Sequence, residues 1–351
     1  MTPLLLALSL VSADASASEI STTSEGHVQN PTWSRDGEWL SYEVNNLNNS
    51  VEMWIVKMRL GHSQESRQVR IPGATRSFGG GSGSIVAAAA WTSAPQTMVF
   101  FEGSNAGGNL RLYYANPGSA APNELISMSA VGGNLSAPTV SGDGSAFGFT
   151  ADFTGSGDIY TWNLSGGGAP APTANTSQSE NLPAFNNDGS KVAFSRAGVG
   201  EDLFSWQQGG EGTRISGGNG DQTRPIWVGD RVVYFSSARG EGHWDIEIVG
   251  SNGQGKRVLA RDVRLPVRAR PAITPDGSAV VWVSSDPERA GVLRFTKIDG
   301  GGETQYDTGL VACGEPNLVE SEGRVWAAFT ALPSEGSDWR NLHVVDVTGR
   351  Y

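Results

Sequence analysis

The sequence predicts an all-β protein built from seven similar units, each a four-stranded antiparallel sheet. Three observations support this fold class. Glycine supplies 47 of the 351 residues and charged residues only 17%, so short apolar runs alternate with glycine-rich turns. One motif occurs seven times, and a further strand-like segment follows each copy. A four-stranded unit repeated every ~45 residues is typical of a β-propeller, here with seven blades.

The motif is clearest in four copies that align without gaps: NPTWSRDGEWLSY, APTVSGDGSAFGF, LPAFNNDGSKVAF and RPAITPDGSAVVW. Each copy has a proline, here called the anchor, with Asp-Gly five residues later. The Asp-Gly pair suits a tight reversal between antiparallel strands. Apolar side chains four and six residues past the Asp share one strand face, because side chains alternate along a strand. The four anchors are Pro31, Pro138, Pro183 and Pro271.

Three weaker copies complete the set. RPIWVGDRVVYF, with anchor Pro225, has a turn that we interpret as one residue shorter. AAWTSAPQTMVF has Ala89 in place of the anchor, and Met98 and Phe100 are expected at its core positions. EPNLVESEGRVWAAF keeps Pro316 but lacks Asp-Gly, which leaves its register open. Two residues after the anchor position all seven copies are apolar: Trp33, Trp91, Val140, Phe185, Trp227, Ile273 and Leu318.

Each copy is followed by a predicted third strand, at 53–58, 109–116, 158–164, 202–208, 245–251, 292–299 and 341–347. More polar fourth strands are predicted in several copies, for example at 124–130 and 256–262. The last copy stops at Tyr351 directly after its third strand, and residues 19–28 precede the first copy without a blade of their own. We therefore expect the N-terminal segment to pair with the last blade, close the ring and cover its open edge.

The string Pro-x-Trp-Ser-x-Asp-Gly-x-x-Leu-x-Tyr, followed by a strand such as DIYTWNL, resembles the repeat of the TolB-like (WD40-like) β-propellers. The resemblance covers roughly residues 29–348, and it implies the fold more than the activity. We do not expect the N-terminal domain of TolB itself in this chain. Family members fused to peptidases need a G-x-S-x-G elbow. The nearest string, at 79–84, lacks the second glycine and is interpreted as a linker.

The N-terminus predicts export. An apolar run from Leu4 to Val11 precedes small residues that suit signal peptidase, so we assign 1–18 as a signal peptide and 19–351 as one propeller domain. The protein is then periplasmic or secreted from a bacterium. No later segment is long and apolar enough for a membrane span. The net charge of -11 disfavours a nucleic-acid partner. Cys313, the single cysteine, is expected to be buried.

A candidate site lies at one end of the predicted channel, where the residues just ahead of each anchor meet. We call this end the channel mouth. Its predicted ligand-binding residues are Asn30, Arg224, Arg268, Arg270 and Glu315. Converging guanidinium groups bind carboxylates and phosphates through paired hydrogen bonds. The alternative is that these charges are satisfied internally, by ion pairs of Arg270 with Glu315 and of Arg224 with Asp221.

The favoured function is a non-enzymatic propeller that binds a protein partner or a small anionic ligand. No cofactor, metal or catalytic residue is predicted. The alternative is a metal-dependent carbohydrate-active enzyme resembling oligogalacturonate lyase, whose family binds a divalent metal through histidines. The four histidines here occupy different blade positions: His27, His62, His243 and His343. Three or more His, Asp or Glu side chains converging at the mouth would favour the enzyme, whereas arginines or a plugged channel would favour binding.

Overall fold

A computed structural model describes residues 17–21, 26–46, 50–71, 85–92, 96–104, 108–125, 133–164, 166, 168–207 and 212–351. Within these residues the chain forms 28 β-strands and one turn of 3-10 helix at Pro287–Arg289. No helix in the described part of the chain is long and apolar enough to cross a membrane. Most of the predicted signal peptide, 1–16, lies outside the described residues.

The strands pair as seven four-stranded antiparallel units, numbered in chain order. Unit 1 contains β2 (His27–Trp33), β3 (Trp39–Asn45), β4 (Val51–Arg59) and β5 (His62–Val69). Unit 2 contains β6 (Ile85–Trp91), β7 (Val99–Ser104), β8 (Arg111–Ala115) and β9 (Pro122–Glu124). Unit 3 contains β10 (Leu135–Val140), β11 (Ala146–Ala151), β12 (Asp158–Asn163) and β13 (Ala171–Ala174). Unit 4 contains β14 (Glu180–Phe185), β15 (Lys191–Ala197), β16 (Glu201–Gln207) and β17 (Thr213–Ser216).

Unit 5 contains β18 (Gln222–Val228), β19 (Arg231–Ser236), β20 (Asp245–Gly250) and β21 (Arg257–Ala260). Unit 6 contains β22 (Ala272–Ile273), β23 (Ala279–Trp282), β24 (Val292–Lys297) and β25 (Glu303–Asp307). Unit 7 contains β26 (Val311–Ser321), β27 (Arg324–Leu332), β28 (Asn341–Asp346) and, as its outer strand, β1 (Ser18–Ser21). A single parallel bridge between Val51 and Ile85 joins units 1 and 2.

The N-terminal strand pairs with the last strand of the chain, as the sequence predicts. β1 runs antiparallel to β28, with Glu19 opposite His343. The Asn341 side chain donates a hydrogen bond to the Glu19 carboxylate at 2.9 Å. Ser18, the last residue of the predicted signal peptide, is already part of β1. The open edge of unit 7 is therefore paired rather than exposed.

The register is as predicted in the four ungapped copies and differs in the weaker ones. In the ungapped copies the paired residues stand seven apart, for example Trp33 with Leu40. In unit 5 Trp227 pairs with Val232, so that turn is two residues shorter, not one. In unit 2 Trp91 pairs with Val99, so Val99 and Phe101 take the positions predicted for Met98 and Phe100. Phe100 is nevertheless buried, on the other face of the strand, where it packs on Phe147.

Two further predictions need the same kind of adjustment. The third strands form where expected, but the fourth strand predicted at 124–130 is instead β9, Pro122–Glu124, and 126–130 lie outside the described residues. The copy at Pro316 forms a longer hairpin, with Ser321 opposite Arg324.

Cys313 is fully buried as expected, inside β26. Burial raises the pKa of its thiol to about 11.

The first strand of six units is interrupted just ahead of the anchor. The residue there has a positive φ, between 49° and 57°, and the strand register shifts at the same point. A non-glycine residue in this conformation is uncommon and marks a bulge that redirects its backbone groups. Unit 6 is the exception, because Arg270 is not in this conformation. The six residues are Asn30, Ala88, Ala137, Leu182, Arg224 and Glu315.

The core lies between the faces of neighbouring units. Phe100 of unit 2 packs on Phe147 of unit 3, with ring centroids 4.9 Å apart. Leu203 of unit 4 and Tyr234 of unit 5 share another cluster, and both are fully buried. Burying a large apolar side chain contributes about 1.5–3 kcal/mol. Packing between units thus fixes their mutual positions and, with them, the mouth residues.

Candidate functional site

Buried carboxylates link the bulges of neighbouring units. Glu43 of unit 1 accepts the backbone N–H of Ala88 in unit 2 at 2.8 Å. Glu102 of unit 2 accepts the N–H of Ala137 in unit 3 at 3.1 Å. Glu315 of unit 7 accepts the N–H of Asn30 in unit 1 at 2.7 Å. Each bond satisfies a donor that the bulge removes from the strand ladder, because buried N–H groups need partners.

The connection between units 5 and 6, residues 261–271, crosses this end of the units. We call it the mouth loop. The N–H of Val267 donates to Glu315 at 2.9 Å, and the N–H of Arg268 donates to the Asn30 side chain at 3.3 Å. The Arg268 guanidinium forms an ion pair with Glu102. The loop is thus held by units 7, 1 and 2.

Arg224 and Arg270 fix the other side of the mouth loop. Arg224 donates to the carbonyl oxygens of Pro266 at 2.6 Å and Val267 at 3.0 Å. Arg270 donates to the carbonyl of Pro183 at 2.7 Å and also to that of Pro225. Burial, and then the charge of Arg224, lowers the pKa of Arg270 to about 10. Both arginines are therefore bound by neutral carbonyl groups of units 4 and 5 and of the loop.

The five predicted mouth residues thus come together, but not through the ion pairs proposed as the alternative. Among the described residues neither Arg270 with Glu315 nor Arg224 with Asp221 forms a salt bridge. Glu315 is occupied by two backbone N–H groups, and Asp221 accepts the N–H of Glu201 at 3.0 Å. The guanidinium groups of Arg224 and Arg270 are satisfied internally, as the alternative holds, but by carbonyl oxygens and not by the carboxylates that it named.

Two other arginines at the mouth differ from these. Arg264 of the mouth loop and Arg340, just ahead of β28, are both partly buried near Gly314 and Glu315. Burial, and then the charge of Arg264, lowers the pKa of Arg340 to about 10. Neither guanidinium has a hydrogen-bond or ion-pair partner among the described residues. Neither arginine is among the five mouth residues that the sequence predicts.

A separate cleft of about 570 Å³ opens between the connection 219–221 and the β19–β20 loop, with Trp244 on its wall. Arg239 lies in this cleft and is held by Asp245, at 2.6 and 2.8 Å, and by Asp262, at 2.6 Å. Asp262 also contacts His243 at 3.3 Å. The polar groups around Arg239 are therefore paired with one another, which agrees with a structural role for Asp245.

The histidines have separate surroundings. Nδ1 of His27 accepts the N–H of Arg340 at 3.4 Å, while His243 lies at the outer cleft. His343 is buried on Phe329, with ring centroids 5.8 Å apart, and His62 is exposed at the start of β5. In the described residues no three His, Cys, Asp or Glu side chains are placed to hold a metal ion. The histidines present do not fit a shared metal centre.

Comparisons with known proteins place the fold. No family model matches the sequence, and no curated protein matches it. Among solved structures, an oligogalacturonate lyase from Vibrio parahaemolyticus has TM-score 0.63 and 12% identity, covering 95% of this chain and 94% of the lyase. An oligogalacturonate lyase in complex with manganese has TM-score 0.61 and 15% identity, covering 94% and 96%. A protein described as TolB, from Agrobacterium tumefaciens, has TM-score 0.51 and 16% identity, covering 68% and 82%.

The chain has the TolB-like β-propeller fold. Sequence identities this low show a shared fold, and they do not show a shared function. The neighbours include both TolB and a lyase, so likeness to them does not choose between binding and catalysis.

Proposed function

We propose that the seven units close into a seven-bladed ring, and that this exported propeller binds a partner at its channel mouth without catalysing a reaction. The ligand is a protein or a small molecule with an anionic group. Asn30, Arg224, Arg268, Arg270 and Glu315 form the framework of this surface. The ring proposal is supported by the β1–β28 pairing, and by contacts of β2 with both β6 and β26.

One observation carries the binding proposal: the mouth loop bridges the mouth and presents side chains outward. Its backbone and its arginines hydrogen-bond to units 1, 2, 5 and 7, and Arg270 adds unit 4. Val267 is 56% exposed at the middle of this loop. A rigid surface that combines an exposed apolar side chain with guanidinium groups suits partner binding, because little ordering is needed on association.

The test compares variants at opposite ends of the propeller. Val267→Asp places a charge on the mouth surface, and Leu60→Asp places one on the β4–β5 turn at the other end. Both side chains are exposed, Leu60 at 46%, so neither change should alter folding. We expect a ligand that cross-links to the wild type and to Leu60→Asp, in an extract of the source organism, to be lost with Val267→Asp.

Retention of that ligand by Val267→Asp together with its loss from Leu60→Asp would contradict a mouth site. The alternative function is tested in parallel, by incubating the protein with oligogalacturonate and Mn²⁺. Accumulation of unsaturated product would replace the binding proposal with a lyase.

A further inference from the structure

Arg264 and Arg340 are brought to one place by elements far apart in sequence. The N–H of Arg264 donates to the carbonyl of Val283 at 2.8 Å, which fixes the backbone of the mouth loop at this point. The carbonyl of Arg340 accepts the N–H of Val28 at 3.1 Å, and its N–H donates to His27. Both arginines are therefore presented from backbone that is already ordered.

The residue between them leaves space for a guanidinium group. A methyl group on Gly314 would lie 2.9 Å from Nη1 of Arg340 and 3.8 Å from Cδ of Arg264. The first distance is too short for an ordinary contact, so a side chain at 314 would displace Arg340. Glycine at this position thus allows both arginines to share the space above β26.

The charges at this place are not balanced. Arg264 and Arg340 contribute two positive charges, and the one carboxylate that acts on both, Glu315, also acts on Arg224, so positive charge is in surplus. Both oxygens of Glu315 already accept backbone N–H groups, from Asn30 and Val267. Holding two partly buried cations together without an acceptor costs free energy. A group that accepts hydrogen bonds from both would remove this cost.

We infer that Arg264 and Arg340 form a binding site for a carboxylate group. A carboxylate has one negative charge, which offsets part of the surplus positive charge, and two oxygens that match the donors of guanidinium groups. Phosphate, which guanidinium groups also bind, brings about -1.5 to -2 charges at neutral pH and is the competing anion in the test. Trp339 precedes Arg340 and packs edge-on against His27 at 5.3 Å, so an aromatic surface lies next to the site.

This site rests on the proposed function, because it names the chemical group that the mouth recognises. The carboxylate can belong to the C-terminus of a chain or to a free acid. N-acetylphenylalanine represents the first source and benzoate the second, while N-acetylphenylalanine amide and inorganic phosphate are the controls. Binding is measured by calorimetric titration of the whole protein with each compound.

We expect N-acetylphenylalanine to bind at least about tenfold more tightly than its amide, since the neutral amide cannot form the charge-assisted pair with the two guanidinium groups. Phosphate should bind more weakly than either carboxylate. Tighter binding of N-acetylphenylalanine than of benzoate points to a chain terminus, and the reverse order points to a free acid. Equal affinity for the acid and the amide, or preference for phosphate, would overturn the inference.

Variants separate this site from general electrostatics. Arg264→Gln and Arg340→Gln should each weaken carboxylate binding about tenfold. Arg261→Gln is the matched control, because Arg261 is an exposed arginine of the same loop, and it should bind as the wild type does. Equal loss in all three variants would refute a specific pair. Val267→Asp should retain carboxylate binding, because residue 267 is outside the arginine pair. If the wild-type protein captures a partner at the mouth but binds no carboxylate, this inference is overturned and the proposed function still stands.

Discussion

Removing the Glu43 side chain should destabilise the contact between units 1 and 2 far more than removing a surface carboxylate. Glu43 is 2% exposed and accepts three hydrogen bonds, from Ala88 N–H at 2.8 Å and from the Gln29 and Asn30 side chains at 2.9 Å each. Leaving a buried donor without its acceptor costs about 1–3 kcal/mol. Glu43→Ala leaves three such donors without their acceptor and should lower the free energy of unfolding by about 3–5 kcal/mol.

The assay is urea unfolding followed by circular dichroism, with Glu38→Ala as the matched control. Glu38 is exposed on the same β2–β3 hairpin, and its side chain has no hydrogen bond among the described residues. The control should change the free energy of unfolding by less than about 0.5 kcal/mol. Equal unfolding midpoints for the two variants would refute the role given to the buried carboxylates.

The pH dependence gives a second check on the same residue. Burial raises the pKa of Glu43 above its usual 4.5, although its hydrogen bonds oppose the change. A carboxyl with a raised folded-state pKa binds protons more readily in the folded state, so its ionisation costs stability at neutral pH. The wild type should therefore gain stability relative to Glu43→Gln as the pH falls through the raised pKa, and the gain should be complete below 4.5. A difference in unfolding free energy between the wild type and Glu43→Gln that does not change with pH would contradict this.

Three further predictions concern other parts of the molecule. Arg340→Gln should raise the melting temperature of the ligand-free protein, because it relieves repulsion with Arg264; a lower melting temperature would indicate that Arg340 has a structural partner. Gly61→Ala should destabilise the β4–β5 turn by more than about 1 kcal/mol in urea unfolding, since Gly61 has φ 75° and a methyl group would lie 2.3 Å from the Trp326 ring; an unchanged midpoint would contradict it. Burial lowers the pKa of His343 below 6.5, so the stability that the neutral ring provides is full above pH 6.5 and is lost as the pH falls below it. His343→Phe should reduce this loss in thermal melts from pH 7.5 to 5, and an unchanged pH profile would exclude His343 as its source.

The sequence predicted the fold wherever the motif carried turn chemistry of its own. The four copies with an anchor proline and Asp-Gly pair in the expected register, as Phe185 with Val192 illustrates. Unit 2 lacks both signals, and four consecutive apolar residues, 98–101, span the start of its second strand. Alternation of apolar and polar side chains cannot fix the register of a strand whose two faces are both apolar. A slip of one residue then exchanges the side chains of the two faces. That is why Val99 and Phe101 were missed as core residues.

The sequence predicted where the mouth residues lie but not which groups they form hydrogen bonds with. The spacing of the motif placed Asn30, Arg224 and Glu315 at one end of the units. Their partners depend on the positive-φ bulges and on the path of the mouth loop, and neither feature is local in sequence. Arg340 was missed for a related reason, because it precedes a third strand and not an anchor. Connections before third strands and before anchors leave an antiparallel unit at the same end, and this rule could have placed it there.

The most direct test of the account is a crystal structure of the protein with N-acetylphenylalanine. We predict seven four-stranded blades in a closed ring, β1 paired with β28, and the carboxylate of the ligand within hydrogen-bond distance of Arg264 and Arg340. A ligand bound in the outer cleft beside Trp244, or guanidinium groups of Arg264 and Arg340 occupied by carboxylates of the protein itself, would contradict the account.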